Sequence, residues 1–132
     1  MKVLVDTHLV LWALLDSPKL PAQGRAWLHD SAKRKYVSAA TIWEVAIKHA
    51  KWPQEMPIRG EALLALVREA GFDLLPIEPA HAAAVDLLPS HHSDPFDRIM
   101  VAQAQTEGMA FLTADSKLHA YGGCVVLCGA GP

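Results

Sequence analysis

KVLVDTHLVLWALL, residues 2–15, carries two patterns end to end. Residues 2–6 are short, apolar and β-branched, the signature of a strand buried on both faces. They close on a single carboxylate, Asp6. Residues 7–15 continue without a break as a helix. A strand that runs straight into a helix opens a βα unit, and the rest of the chain repeats the alternation. Helices are expected over 22–33, 39–51, 60–70, 79–88 and 95–107. Strands are expected over 36–38, 73–77, 110–113 and 124–128, with a helical turn near 116–120. Proline and glycine punctuate them: Pro21 suits a first helical position, Pro53 stops the helix before it, and Gly71 and Gly108 close two others. The expectation is an α/β fold with a central, mostly parallel sheet of about five strands.

The size of the chain agrees with that. Its 132 residues are one domain's worth, read here as a single domain over 1–132. Apolar residues make up 52% and charged residues 20%, which excludes a disordered chain. The N-terminal apolar stretch is interrupted by Asp6 and His8 and is too short to span a bilayer. A soluble cytoplasmic protein is expected, with no membrane partner. Net charge is −2, from 12 basic and 14 acidic residues, so no global basic field announces a nucleic-acid binder. That number misleads if four acids share a cation, because 12 basic side chains then face 10 acidic ones.

In open α/β sheets, functional groups gather beyond the carboxyl ends of the strands. Asp6 ends the first strand, and Asp115 comes two residues after the strand at 110–113. Glu44 lies mid-helix in IWEVAI, and Asp97 lies in the first turn of the helix that DPFDRIMVAQA begins. Each has a structural reading. Asp6 can cap the helix after it and Asp115 the turn that begins at Ser116. Asp97 suits a helix N-terminus, and Glu44 can pair with Lys48 four residues on. Asp94, before Pro95, is read as an N-cap. Glu44 is the hardest to explain structurally, because a carboxylate among Ile42, Trp43, Val45 and Ala46 is costly to desolvate without a cation. Taken together, the four suggest a site for a hard cation, Mg²⁺ or Mn²⁺, which takes oxygen ligands.

VLVDTHLVLW, SAATIWEVAIKHAKW, DPFDRIMVAQAQ and FLTAD together resemble the PIN-domain ribonucleases, and within them the VapC-like toxins of type II toxin–antitoxin pairs. The resemblance runs from Met1 to Val126. It implies a PIN-like α/β/α sandwich and an acidic pocket of Asp6, Glu44, Asp97 and Asp115. Asp6, Asp97 and Asp115 would hold metal, and Glu44 would help orient or deprotonate the attacking water. It further implies endoribonuclease activity on an RNA such as tRNA or rRNA, leaving a 5′-phosphate and a 3′-hydroxyl. A cognate antitoxin and homodimerisation are implied on the same basis. Thr113 matches the small polar residue before the last acid. Supporting parts for Asp94, Arg98 and one of His91 and His92 stay open. Two other readings stand beside this one: a non-catalytic RNA- or protein-binding subunit with a PIN-like fold, and a phosphatase or phosphoacceptor domain using Asp6. The second lacks the paired acid it needs, since His8 occupies that position.

The remaining features are weaker. His91–His92 reads as a solvated loop pair, and His8 as a helix-surface residue. Lys33-Arg34-Lys35 reads as a solvated helix end, with Lys48 and Lys51 as further candidates for a positive rim toward RNA. Trp12, Trp27, Trp43 and Trp52 suit a core or an interface, or stacking on unpaired bases. Cys124 and Cys128 are expected as free thiols on one face of a strand, ~13 Å apart by strand rise and too far for a disulfide.

Overall fold

The structure is a computed structural model and describes residues 1–90 and 94–128. Its strands are β1 (Lys2–Val5), β2 (Arg34–Ser38), β3 (Asp73–Leu75), β4 (Ala110–Thr113) and β5 (Val125–Leu127). The helices are α1 (Thr7–Leu14), α2 (Ala22–His29), α3 (Ala39–Lys51), α4 (Gly60–Glu69), α5 (Pro79–Ala84) and α6 (Pro95–Glu107). Short 3₁₀ turns cover Val85–Leu87 and Ser116–Tyr121.

The five strands form one sheet in the order β3-β2-β1-β4-β5, and every neighbouring pair is parallel. Their register sets Leu4 beside Tyr36 on one side and beside Phe111 on the other. Side chains alternate across the sheet with period two, and two cores result from that alternation. Leu4, Phe111 and Val125 pack with Met100, Val101 and Ala104 of α6. Val3, Val5 and Leu112 point the other way, onto Leu9 and Val10 of α1, Val45 of α3 and Leu63 and Val67 of α4. The result is the expected α/β/α sandwich.

The chain lays β1, β2 and β3 outward in one direction, then crosses back to place β4 and β5 on the other side of β1. The strand order therefore reverses between β1 and β4. Such a reversal opens a crevice at the carboxyl ends of the strands, where ligands bind in open α/β sheets. Asp6 lies at that crevice, tied to β4 by its backbone N–H, which donates to the Leu112 carbonyl at 2.9 Å.

Several boundaries move from their sequence-based positions. The helix expected over 22–33 ends at His29, because Asp30 starts a turn by accepting from the Ala32 N–H and the Lys33 ammonium. Pro21 is the extended residue just before that helix, with ψ at 148°, and not part of its first turn. β2 begins two residues earlier than expected, at Arg34. The Lys33-Arg34-Lys35 run is therefore a turn leading into a strand. It is also committed locally: Lys33 and Lys35 bond to Asp30, and Arg34 pairs with Asp73. β3 stops at Leu75, before Pro76, which has no N–H to extend a ladder. The helix expected over 79–88 tightens into a 3₁₀ turn after Ala84.

The two cysteines do not share a face. Cys128 is buried in the core with Val126 and Leu112, whereas Cys124 packs on the opposite core. β5 is only three residues long, so Cys124 lies in the turn before it and the strand alternation does not reach it. Both are free thiols, and burial raises the pKa of each. His91 and His92 lie outside the described residues. No helix among the described residues is long and apolar enough to cross a membrane.

Candidate active site

Asp6 is buried, at 4% exposure, at the junction of β1 and α1. It caps α1: Oδ1 accepts from the Thr7 N–H at 2.7 Å. Its other oxygen, Oδ2, accepts from the Thr113 hydroxyl at 2.7 Å, across the crevice at the end of β4. The capping role and a role in the crevice are thus compatible, because one oxygen serves each. Burial pushes the Asp6 carboxyl above its ordinary range, against the opposing pull of the Thr113 and Thr7 hydrogen bonds. The charge of Glu44 adds to the upward shift.

Thr113 also links Asp6 to Asp115. Its hydroxyl donates to Asp6 and accepts from the Asp115 N–H at 3.0 Å. Asp115 is half-buried and caps the 3₁₀ turn at Ser116–Tyr121, accepting from the Lys117 N–H at 3.0 Å.

Glu44 approaches from α3 and is also buried at 4%. Its Oε1 accepts from the Thr7 hydroxyl at 2.8 Å, so Thr7 joins the two acids, through its N–H to Asp6 and its O–H to Glu44. A hydroxyl has one proton to give. The Thr7 proton goes to Glu44, while the Thr41 hydroxyl lies 2.9 Å from that of Thr7 and also reaches the Met100 sulfur at 3.6 Å. The outer oxygen of Glu44, Oε2, pairs with the Lys48 ammonium at 2.5 Å. The i,i+4 pairing expected from the sequence is therefore present, and it supplies the cation that a buried Glu44 requires.

Asp97 lies half-buried in the first turn of α6. Asp94 is the N-cap of that helix, as expected, and its Oδ1 accepts from the N–H groups of Phe96 at 2.8 Å and Asp97 at 3.2 Å. The helix is held against α3 by an edge-on contact of Phe96 with Trp43, 5.2 Å between ring centres. Asp94 and Asp97 both act electrostatically on Lys48. Burial works to lower the Lys48 pKa, but the bond and charge of Glu44, with the charges of Asp94 and Asp97, outweigh it and leave it raised.

The structure thus ties Asp6, Glu44 and Asp115 together through Thr7 and Thr113, and brings Asp94 and Asp97 within electrostatic reach of Lys48. It does not close them into a chelating cluster: among the described residues, no group of three or more His, Cys, Asp or Glu side chains is placed to hold a metal ion. Arg98 bonds to Pro89 and to both 3₁₀ turns. It donates to the carbonyls of Pro89 and Val85 and to the Tyr121 hydroxyl. His8 is exposed, as expected, and its charge opposes the rise in the Asp6 pKa. Sequence reasoning does not single out Thr7 and Thr41. The signals for them are the position of Thr7 directly after Asp6 and the i,i+3 spacing of Thr41 and Glu44, which puts both on one helix face.

The chain matches the PIN domain over residues 3–123. It belongs to the PIN-domain family. A comparison with curated proteins gives no match. Among solved structures, the PIN fold here is similar to VapBC2 from Rickettsia felis bound to a promoter DNA fragment, with a TM-score of 0.69 and 13% identity, covering 96% of this chain and 97% of that one. A toxin–antitoxin complex from Klebsiella pneumoniae aligns with a TM-score of 0.64 and 22% identity, over 94% of this chain and 95% of that one. DNA-bound VapBC from Salmonella typhimurium gives 0.65 and 16%, over 93% and 94%. At these identities the likeness is one of fold, and this PIN domain shares the sandwich and sheet found above.

Proposed function

We propose that this PIN domain is a metal-dependent endoribonuclease and the toxin of a type II toxin–antitoxin pair. The observation that carries the reading is the buried Asp6 at the strand-order reversal, joined to Glu44 by Thr7 and to Asp115 by Thr113. Family membership and the resemblance in fold to chains from toxin–antitoxin complexes support it.

The donor chemistry fits a hard cation. Every candidate ligand is a carboxylate, and Asp6 is a buried acid whose charged form is penalised by desolvation. Each Asp6 oxygen accepts one hydrogen bond among the described residues and has lone-pair capacity beyond it. Asp6, Asp97 and Asp115 would hold Mg²⁺ or Mn²⁺. Such an ion supplies Lewis-acid activation of a phosphodiester and of water near neutral pH. Thr7 and Thr113 hold Asp6 in one orientation. Glu44 orients the attacking water and takes its proton. Water adds to phosphorus as the bond to the 3′-oxygen breaks, and the departing oxygen takes a proton from solvent, leaving a 5′-phosphate and a 3′-hydroxyl.

The partners belong to the same reading: RNA as substrate, an antitoxin covering apolar surface, a second copy of the chain, and a cytoplasmic setting. Trp43 is 58% exposed beside an apolar groove between α3 and α4, which supports a covered face. The test is cleavage of total RNA and labelled tRNA in Mg²⁺, Mn²⁺ or EDTA. Cutting that requires a divalent ion is expected. Binding of RNA without turnover in any metal would favour a non-catalytic subunit and overturn the proposal.

A further inference from the structure

Lys48 lies one turn after Glu44 on α3, and its ammonium is bonded to the outer oxygen of that buried acid. The inner oxygen accepts from the Thr7 hydroxyl at 2.8 Å. Glu44 is therefore held on both sides by donors, and among the described residues the charged one is Lys48. Asp94 and Asp97, from the start of α6, act on the same ammonium. The side chain of Lys48 is 32% exposed and that of Glu44 only 5%, so the lysine reaches inward from the rim of the crevice. The other lysine and arginine candidates are used elsewhere: Lys33, Arg34 and Lys35 bond to Asp30 and Asp73, and Lys51 lies over the Trp52 ring, while His8 acts on Asp6 from α1.

We propose that Lys48 is a resident counter-cation of the acidic crevice, holding the acids' negative charge in the metal-free protein and competing with a divalent ion for them. The inference rests on the metal-dependent reading above. Its physical basis is simple. Clustered carboxylates repel one another unless a positive charge is near, and a positive charge already there opposes the entry of a second. A plain i,i+4 surface pair would behave differently, contributing little to the fold and nothing to metal affinity. Lys48 is thus a positioning residue. It holds Glu44 by a direct bond and offsets the charge of the α6 acids, for an ion that then takes over part of its role.

The test is Mn²⁺ binding by titration calorimetry, with melting temperatures in EDTA and in saturating Mn²⁺. Wild type is compared with Lys48→Met, Lys48→Arg and Lys51→Met. Lys48→Met is expected to bind Mn²⁺ more tightly, on the order of tenfold, because a like charge leaves the site. It should also melt lower than wild type in EDTA, with the gap closing in Mn²⁺. Lys48→Arg, which keeps the charge, and Lys51→Met, which removes one away from the acids, should stay near wild type. If Lys48→Met does not fold, Lys48→Gln keeps a donor for Glu44 without the charge and gives the same comparison. Mn²⁺ affinity of the neutral variant within twofold of wild type, or weaker, would overturn the inference while leaving the metal site standing. No Mn²⁺ binding by wild type or any variant would remove the metal-dependent reading and this inference with it.

Discussion

Thr113→Val is the sharpest probe of the crevice that leaves every acid in place. Valine has nearly the shape of threonine, and Thr113 is fully buried, so the substitution removes a hydroxyl without opening a cavity. The hydroxyl makes two bonds, donating to Asp6 at 2.7 Å and accepting from the Asp115 N–H at 3.0 Å. A hydrogen bond to a charged group contributes about 1.5–3 kcal/mol. The added methyl returns about 0.8 kcal/mol of apolar burial. The net expectation is a loss of about 1–2 kcal/mol at neutral pH, a fall in Tm of roughly 4–8 °C for a domain of this size. The loss should depend on pH in a stated direction. The Thr113 bond favours the charged form of Asp6, so its removal lifts the Asp6 carboxyl further above its ordinary range. The penalty is then fullest when Asp6 is charged and shrinks as pH falls through the raised Asp6 range. Thermal melts of both proteins in EDTA between pH 7 and pH 4 measure this. A Tm difference under about 1 °C at pH 7, or one equally large at both pH values, would refute the account of how Thr113 and Asp6 are coupled.

The same geometry carries four further expectations. Asp6 has a folded pKa above its unfolded value, so its contribution to stability is full below the unfolded value and is lost as pH rises through the folded one. In EDTA at pH 7, Asp6→Asn should therefore melt above wild type, with the gap closing toward acid pH; a lower melt at both pH values would contradict it. Glu44→Gln leaves the Lys48 ammonium without its carboxylate and should reduce RNA cutting at least ~100-fold with the fold intact by circular dichroism. Gly60→Ala places a Cβ 2.9 Å from the Ala46 Cβ and 3.2 Å from the Ile42 carbonyl. It should cost about 1–3 kcal/mol of overpacking, read by urea unfolding. Arg98→Ala removes bonds to Pro89, Val85 and Tyr121 and should lower Tm by several degrees while leaving Mn²⁺ affinity within about twofold.

Much of the fold is legible in the sequence because period-two and helical patterns carry it. KVLVD and AFLT read as buried strands, and they are neighbours in the sheet. The misreadings lie where a local hydrogen bond overrides pattern. The helix expected over 22–33 runs past His29, but the Asp30 side chain captures the backbone and ends the helix. Strand alternation suggests a common face for Cys124 and Cys128, but it does not apply to a residue still in a turn. At the site, the four acids stand out by type and position. The Thr41–Thr7–Glu44 contacts do not, because threonine is common beside strands and within helices, and it is the packing of α1 on α3 that brings these side chains together. The pairing of Glu44 with Lys48 is visible as spacing alone. That Asp94 and Asp97 share the same lysine requires the packing of α6 on α3.

The central claim is that Asp6 organises a metal-dependent cut in RNA. Its most direct test is the cleavage rate of purified wild type against Asp6→Asn on the same RNA in Mg²⁺ or Mn²⁺, with the fold of each checked by circular dichroism. The account predicts cutting by wild type that EDTA abolishes, and none by a well-folded Asp6→Asn. Undiminished, metal-dependent cutting by Asp6→Asn would contradict it.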